Sequence, residues 1–172
     1  MSTIAFVGGG NMATSLIGGL VDAGHPKEQI WVSEPLAEQR DALAERFGVH
    51  TTESNPEAVH AAQIVVLAVK PQIMKVVAED IASVASETAP LVVSIAAGVK
   101  ESSLKTWLGF EARIVRCMPN TPALLGCGAT ALYANEAVEA DERARAGEIL
   151  GAAGIAVWVE TEDQIDAVTA VS

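Results

Sequence analysis

The chain has 172 residues, half of them hydrophobic but only 4% aromatic, and a formal net charge of −11. This length suits one domain, or one domain with a short extension, and the charge argues against nucleic acid or an anionic membrane surface as the main partner. Anionic small molecules stay open, because backbone N–H groups bind phosphates without a basic patch.

The elements alternate along the chain. Ile4-Ala5-Phe6-Val7 is a short apolar run closed by Gly8, and Met12, Leu16, Ile17, Leu20 and Val21 then recur at helical spacing up to Gly24. Ile30-Trp31-Val32 reads as a second strand, followed by a helix with Leu36, Leu43 and Phe47 inward. Asn55-Pro56 reads as an N-cap and first-turn proline opening another helix. Residues 64–69 form a continuous buried strand, and Pro71 starts a helix carrying Ile73, Val76, Val77 and Ile81. Residues 91–95 and 114–117 are two more strands, separated by a helix near 102–108. A strand near 129–133, a helix over 140–150 and a last strand over 155–159 complete the reading. With a core of Ala, Val, Ile and Leu, the alternation predicts an α/β protein with a doubly wound, mostly parallel sheet and helices on both faces.

Gly8-Gly9-Gly10-Asn11-Met12-Ala13 fits G-x-G-x-x-G/A at the first strand-to-helix turn, the context that makes this motif informative. Gly8 permits the tight turn, Gly10 lets backbone approach a pyrophosphate, and small Ala13 lets the helix pack near the sheet. A Rossmann-type dinucleotide site follows. After the second strand come Ser33-Glu34-Pro35, with Arg40 in the next helix. Glu34 either points into the pocket, where it would repel a 2′-phosphate, or faces solvent before the proline turn. Three further strands end in small or kinked residues, at 68–71, 94–98 and 118–122. In an open α/β sheet that is where ligands bind, so together they favour a cofactor trough.

Cys117 and Cys127 have no metal-like spacing and no nearby histidine, so no metal is expected and a reduced, cytoplasmic protein is the plain reading. No stretch reaches membrane-spanning length, and neither membrane nor nucleic acid is an expected partner.

In "FVGGGNMA", "VVLAVKPQIM", "VVSIAAGV", "RCMPNTPALLG" and "QIDAVTAVS", in that order, the sequence resembles the pyrroline-5-carboxylate reductases. The resemblance implies a Rossmann domain that binds NADP or NAD, and NAD(P)H-dependent reduction of 1-pyrroline-5-carboxylate to L-proline by hydride transfer to the cyclic imine, the last step of proline biosynthesis. By position it implies that Val7, Gly8, Gly9, Gly10, Asn11 and Met12 contact the pyrophosphate, with Ser33 and Glu34 beside the adenosine ribose. Asn55 matches a position near that ribose, besides its reading as a helix cap. Ala68, Val69, Lys70 and Pro71, with Ala96, Ala97 and Gly98, would line the nicotinamide half, although Lys70 also reads as a solvated strand-end lysine. Asn120 and Thr121 would lie close to the reacting centre, and no residue is assigned a certain catalytic role. His25, His50 and His60 match no site of the family.

The family continues past "DAVTAVS" into a C-terminal helical domain that dimerises and supplies most of the substrate pocket. Residues 1–160 are therefore expected to form the dinucleotide-binding domain, and 161–172 to begin the connection to that second domain. The 172 residues alone are expected to bind cofactor without turning substrate over, and the full-length protein to be a homodimer or larger homo-oligomer. Two other readings stay open: a β-hydroxyacid dehydrogenase-like oxidoreductase, and a non-catalytic dinucleotide-binding module.

Overall fold

The computed structural model describes residues 1–119 and 128–171. Eight strands form one sheet: β1 (Ile4–Val7), β2 (Ile30–Ser33), β3 (His50–Thr52), β4 (Ile64–Leu67), β5 (Leu91–Ser94), β6 (Arg113–Pro119), β7 (Gly128–Ala134) and β8 (Gly154–Trp158). Their spatial order is β3-β2-β1-β4-β5-β6-β7-β8. Every neighbouring pair is parallel except β6 and β7, so the last two strands run against the other six. The doubly wound, mostly parallel sheet expected from the alternation is what forms.

Strand geometry explains the two layers. Successive side chains point to opposite faces, so Ile4 and Phe6 join one core cluster while Ala5 and Val7 join the other. The first cluster lies under α1 (Asn11–Asp22), α2 (Ala37–Phe47) and α6 (Ala140–Gly151), through Leu16, Ile17, Leu43, Ile149 and Leu150. The second lies under α3 (Asn55–His60), α4 (Met74–Thr88) and α5 (Glu101–Leu108), through Val59, Met74, Ile81, Leu104 and Leu108. Because both faces are covered, β1, β4 and β5 are buried throughout and read as unbroken apolar runs rather than as alternating ones. Burying each large aliphatic side chain contributes about 1.5–3 kcal/mol.

Several local expectations need correction. Asn55 is not the N-cap of α3: Ser54 is, its hydroxyl accepting from the Glu57 N–H at 3.2 Å. Pro56 therefore sits one position deeper, where a missing N–H still costs nothing. Leu36 is 66% exposed and precedes α2 instead of packing under it. Ile73 and Val76 are also exposed, because Pro71–Ile73 is a 3-10 turn and α4 begins at Met74. The change of pitch rotates the apolar face onto Met74, Val77, Ala78, Ile81 and Ala85.

Besides a short 3-10 turn at Lys27–Gln29, two elements lie outside the sequence expectations. β3 is three residues long and half exposed, too short and polar for a periodicity to register. Helix α7 (Glu162–Val171) is the second. Its first turns are tied to β6 by Arg116, a side chain 1% exposed that pairs with Glu162 at 3.2 Å and Asp166 at 3.3 Å. Lys100 adds a 3.0 Å contact to Asp166, and the Glu101 N–H donates to Glu162 at 2.7 Å.

Candidate functional site

The sheet register sets the site. Val7, Ser33, Leu67 and Ser94 are partners across β2, β1, β4 and β5, so these four strands end level with one another. The ladder runs one residue further: Gly8 N–H donates to Ser33 O at 2.8 Å, Ala68 N–H to Val7 O at 2.8 Å, and Ile95 N–H to Leu67 O at 3.2 Å. Glu34 N–H likewise donates to Thr52 O at 2.9 Å. The glycine loop, the turn after β2, and the 68–71 and 95–98 segments thus share one edge. The order of the sheet turns back between β1 and β4, and ligands of open α/β sheets bind in the crevice outside such a switch.

The glycines of the loop differ in what they face. Gly8 has a φ of +103°, and a Cβ there would lie 2.6 Å from the Ala68 carbonyl oxygen, so only glycine joins the turn to its neighbour strand. Gly10 differs, because a Cβ built on it meets nothing within 4 Å. It is not needed for packing; its bareness opens the N-terminus of α1 to whatever lies above it. Gly10 caps that helix with no side-chain bond, and the first turn carries no acid. The first helical bond runs from Thr14 N–H to Gly10 O at 2.9 Å. The N–H groups of Asn11, Met12 and Ala13 come before it, without a partner in the helix and at the positive end of its dipole.

Glu34 turns toward the glycine loop. It is half-buried, with Oε1 accepting from the Gly9 N–H at 3.2 Å and Oε2 from the Leu36 N–H at 3.0 Å. Ser33 is buried, and its hydroxyl has no hydrogen-bond partner among the described residues. Asn55 opens α3 on the same edge, but its side-chain amide donates to Asp80 of α4 at 3.2 Å. Val69 lies against Gly8, its Cγ1 3.1 Å from where a Cβ would stand. Lys70 and Pro71 are exposed just beyond β4. Ala96 is buried, its N–H donating to Ser94 Oγ at 3.4 Å, with Ala97 half-buried and Gly98 exposed at a φ of +74°. The structure therefore gathers Val7 to Met12, Ser33, Glu34, the 68–71 segment and the 96–98 segment along one edge. Asn120 and Thr121 lie outside the described residues.

The histidines stand elsewhere: His25 in the loop after α1, His60 at the end of α3, and His50 on β3 stacked on Trp31 at 4.7 Å. Cys117 is a free thiol whose burial pushes its pKa up, so it stays protonated and unreactive. A hollow of about 190 Å³ lies at the opposite end of β1 and β4, lined by Ile4, Leu20, His25, Ile64 and Ile149 among others. It is remote from the glycine loop.

Gln39 is a residue at the site that the sequence reading does not single out, and Arg40, which that reading places in the next helix, braces the turn here. Gln39 reaches from α2 to the Gly9 carbonyl at 2.6 Å, and Arg40 uses Nη1 to hold the carbonyls of Glu34 at 2.7 Å and Pro35 at 2.9 Å. The only trace of Gln39 in the sequence is the polar start of α2.

Comparison with known proteins agrees with this geometry. The family model described as NADP oxidoreductase, coenzyme F420-dependent, matches residues 3–98. All of the chain aligns with pyrroline-5-carboxylate reductase of Pseudomonas aeruginosa at 56% identity. Among solved structures, pyrroline-5-carboxylate reductase of Coxiella burnetii superposes with a TM-score of 0.96 at 44% identity, covering 99% of the chain. Plasmodium falciparum pyrroline carboxylate reductase, solved with NADP bound, gives 0.86 at 29% identity over 99% of the chain. The chain spans 63% of the length of the first two proteins and 62% of the third. By its matched motif region and fold, the chain belongs to the family of NADP oxidoreductases described as coenzyme F420-dependent, and along its whole length it is similar to pyrroline-5-carboxylate reductases.

Proposed function

We propose that the chain is the cofactor-binding part of a reductase that converts 1-pyrroline-5-carboxylate to L-proline with NADPH or NADH. What carries this reading is the whole-length likeness to pyrroline-5-carboxylate reductases, joined to a glycine loop at the switch between β1 and β4.

The residues present suit a dinucleotide. The space above Gly10 and the N–H groups of Asn11, Met12 and Ala13 offer a pyrophosphate cradle. Glu34 and Ser33 stand where an adenosine ribose would lie, one offering carboxylate oxygens and the other a hydroxyl without a partner. Beyond β4 and β5, Ala68, Ala96 and Ala97 project no more than a methyl group, as a flat ring at these strand ends would require. When bound there, a reduced nicotinamide supplies the hydride.

The chain's own contribution is to hold and orient. A protonated imine carbon is already electrophilic, so the protein need not add a general acid at the strand ends. The work of Gly8 to Ala13 and of the small strand ends is to fix one ring face in position, an orienting contribution of the kind that accounts for about 7–11 kcal/mol of a barrier at its largest. The whole protein is proposed to act in the cytoplasm and as a homo-oligomer. The rest of its length would supply the groups that grip the substrate carboxylate, so the 172 residues alone bind cofactor without turnover.

The test has two parts. The chain is titrated with NADH and NADPH by calorimetry, and the full-length protein is assayed for 1-pyrroline-5-carboxylate-dependent oxidation of either nucleotide. Saturable binding and turnover are expected. A chain that binds neither nucleotide, or a full-length protein that binds them but leaves the imine unreduced, overturns the reading.

A further inference from the structure

At the end of the sheet away from the glycine loop, the starts of β1 and β4 border the hollow of about 190 Å³, which the dinucleotide reading does not use. Its floor is aliphatic. Ile4 and Ile64 are register partners on the two strands, and Leu20 of α1 and Ile149 of α6 complete the lining, each at most 6% exposed. A Cβ at Gly19 would lie 2.3 Å from the Ala152 carbonyl oxygen, so α1 already touches the end of α6 there, and the hollow opens beside that contact. On the strand side, Thr3 O accepts from the Gln63 and Ile64 N–H groups at 2.9 and 3.2 Å, and the His25 ring bonds to the Ser2 backbone. The residues ahead of β1 are thereby held as a wall. Arg145 and Glu148, both exposed, stand three positions apart on α6 at the rim. Side chains at that spacing share a helix face, with Cβ atoms about 5–6 Å apart. Neither charge is firmly engaged. Arg145 Nη2 meets Asp141 at 3.4 Å in an exposed pair of the kind that holds little, and the Glu148 carboxylate has no partner among the described residues.

We propose that this hollow is a second ligand site, taking a small zwitterionic amino acid with a branched aliphatic side chain. The side chain enters the floor of Ile4, Leu20, Ile64 and Ile149, the carboxylate takes the Arg145 guanidinium, and the ammonium donates to Glu148. A zwitterion carries its two charges on adjacent groups, as the rim carries its own on one helix face. Either charge alone fits worse: a plain carboxylate lies beside Glu148, and a plain amine beside Arg145. Volume sets the size of the side chain. An aliphatic cavity of about 150 Å³ stays dry and accepts benzene, so the hollow here has room for the side chain of valine or leucine. Burying that side chain removes apolar surface from water, which glycine cannot offer. The site is independent of the dinucleotide cradle, which lies at the other end of the same strands.

The experiment titrates the isotope-labelled chain with L-leucine, L-valine, glycine, isocaproate and isoamylamine, following backbone amide shifts by NMR. The last two are leucine without its ammonium and leucine without its carboxylate. The leucine titration is repeated on Arg145→Gln and Glu148→Gln, both changes of exposed side chains, with thermal unfolding as the control for folding. Leucine and valine are expected to saturate with dissociation constants of about 1 mM, moving the amides of Leu20, Arg145 and Ile149 and leaving those of Gly8 to Ala13 in place. Glycine, isocaproate and isoamylamine should each bind about tenfold more weakly, and each variant should lose about fivefold in leucine affinity. Shifts that do not saturate in the millimolar range, or that centre on the glycine loop, overturn the proposal. So does isocaproate or isoamylamine binding as well as leucine, or a leucine affinity unmoved by both variants.

Discussion

The glycine-loop edge and the anchor of α7 are built on opposite principles. At the loop edge, binding capacity comes from backbone N–H groups and from side chains that are absent: Gly10 faces open space, and small alanines, Ala68, Ala96 and Ala97, lie just beyond β4 and β5. At the anchor, a fully buried Arg116 is surrounded by Glu162, Asp166 and, beyond them, Lys100. The first region should therefore be damaged by adding atoms and the second by removing them. Function and stability separate along that line, because a trough that packs nothing contributes little to folding.

Arg116→Ala tests the anchor most severely. Removing one partner of a buried ion pair is strongly destabilising, and here the carboxylates are partly exposed and can rehydrate, so a loss of about 3 kcal/mol is expected in urea unfolding. Nucleotide affinity of the folded fraction should hardly change. An unchanged unfolding midpoint would place the cohesion of α7 elsewhere.

Gly10→Val is the converse. The valine Cβ meets no protein atom within 4 Å, and the N-cap loses only a favoured glycine, so stability should fall by no more than about 1 kcal/mol, while dinucleotide affinity falls about 100-fold, or roughly 2.7 kcal/mol. Undiminished affinity in calorimetry would remove the loop from the binding site.

A smaller effect is expected at Asn135, which is buried beside the anchor. Its amide nitrogen donates to the Ala112 carbonyl at 2.9 Å, and its oxygen accepts from the Ile114 N–H at 3.2 Å. Asn135→Ala leaves both backbone groups unpaired and should cost about 1–3 kcal/mol in chemical denaturation, again without altering cofactor binding.

The smallest effect is one of pH. The hydrogen bond from Lys100, and then the charge of Arg116, hold the Asp166 carboxyl below its ordinary 3.8. A folded value below the unfolded one means that the unfolded chain binds the proton first as pH falls. The contribution of Asp166 is therefore complete above the ordinary value and is lost as pH drops through the lowered one. Asp166→Asn should flatten the acid limb of the stability curve while leaving its slope near neutrality unchanged. A parallel displacement of the whole curve would show that the charge is not what matters.

Much of this protein is legible in one dimension. The glycine loop, the order of strands and helices, and the small residues after β4 and β5 are local patterns, each requiring only neighbours in sequence to be read. The apolar runs of β1, β4 and β5 carry their own burial, since a strand covered on both faces has no polar side to hide. Misreadings arose where one residue of phase decides the outcome. A 3-10 turn at Pro71–Ile73 rotated α4 away from Ile73 and Val76, and the hydroxyl of Ser54 took the cap expected of Asn55.

Only the tertiary structure decided where Glu34 points, what Gln39 holds and why an arginine stands in the middle of an apolar strand. Glu34 and Gly9 are 25 positions apart, and Arg116 and Asp166 are 50. Hydrogen bonds and ion pairs over such separations form only after the sheet has brought its strand ends level. No periodicity in the chain encodes them, because each depends on the register and direction of side chains from elements that meet only on folding.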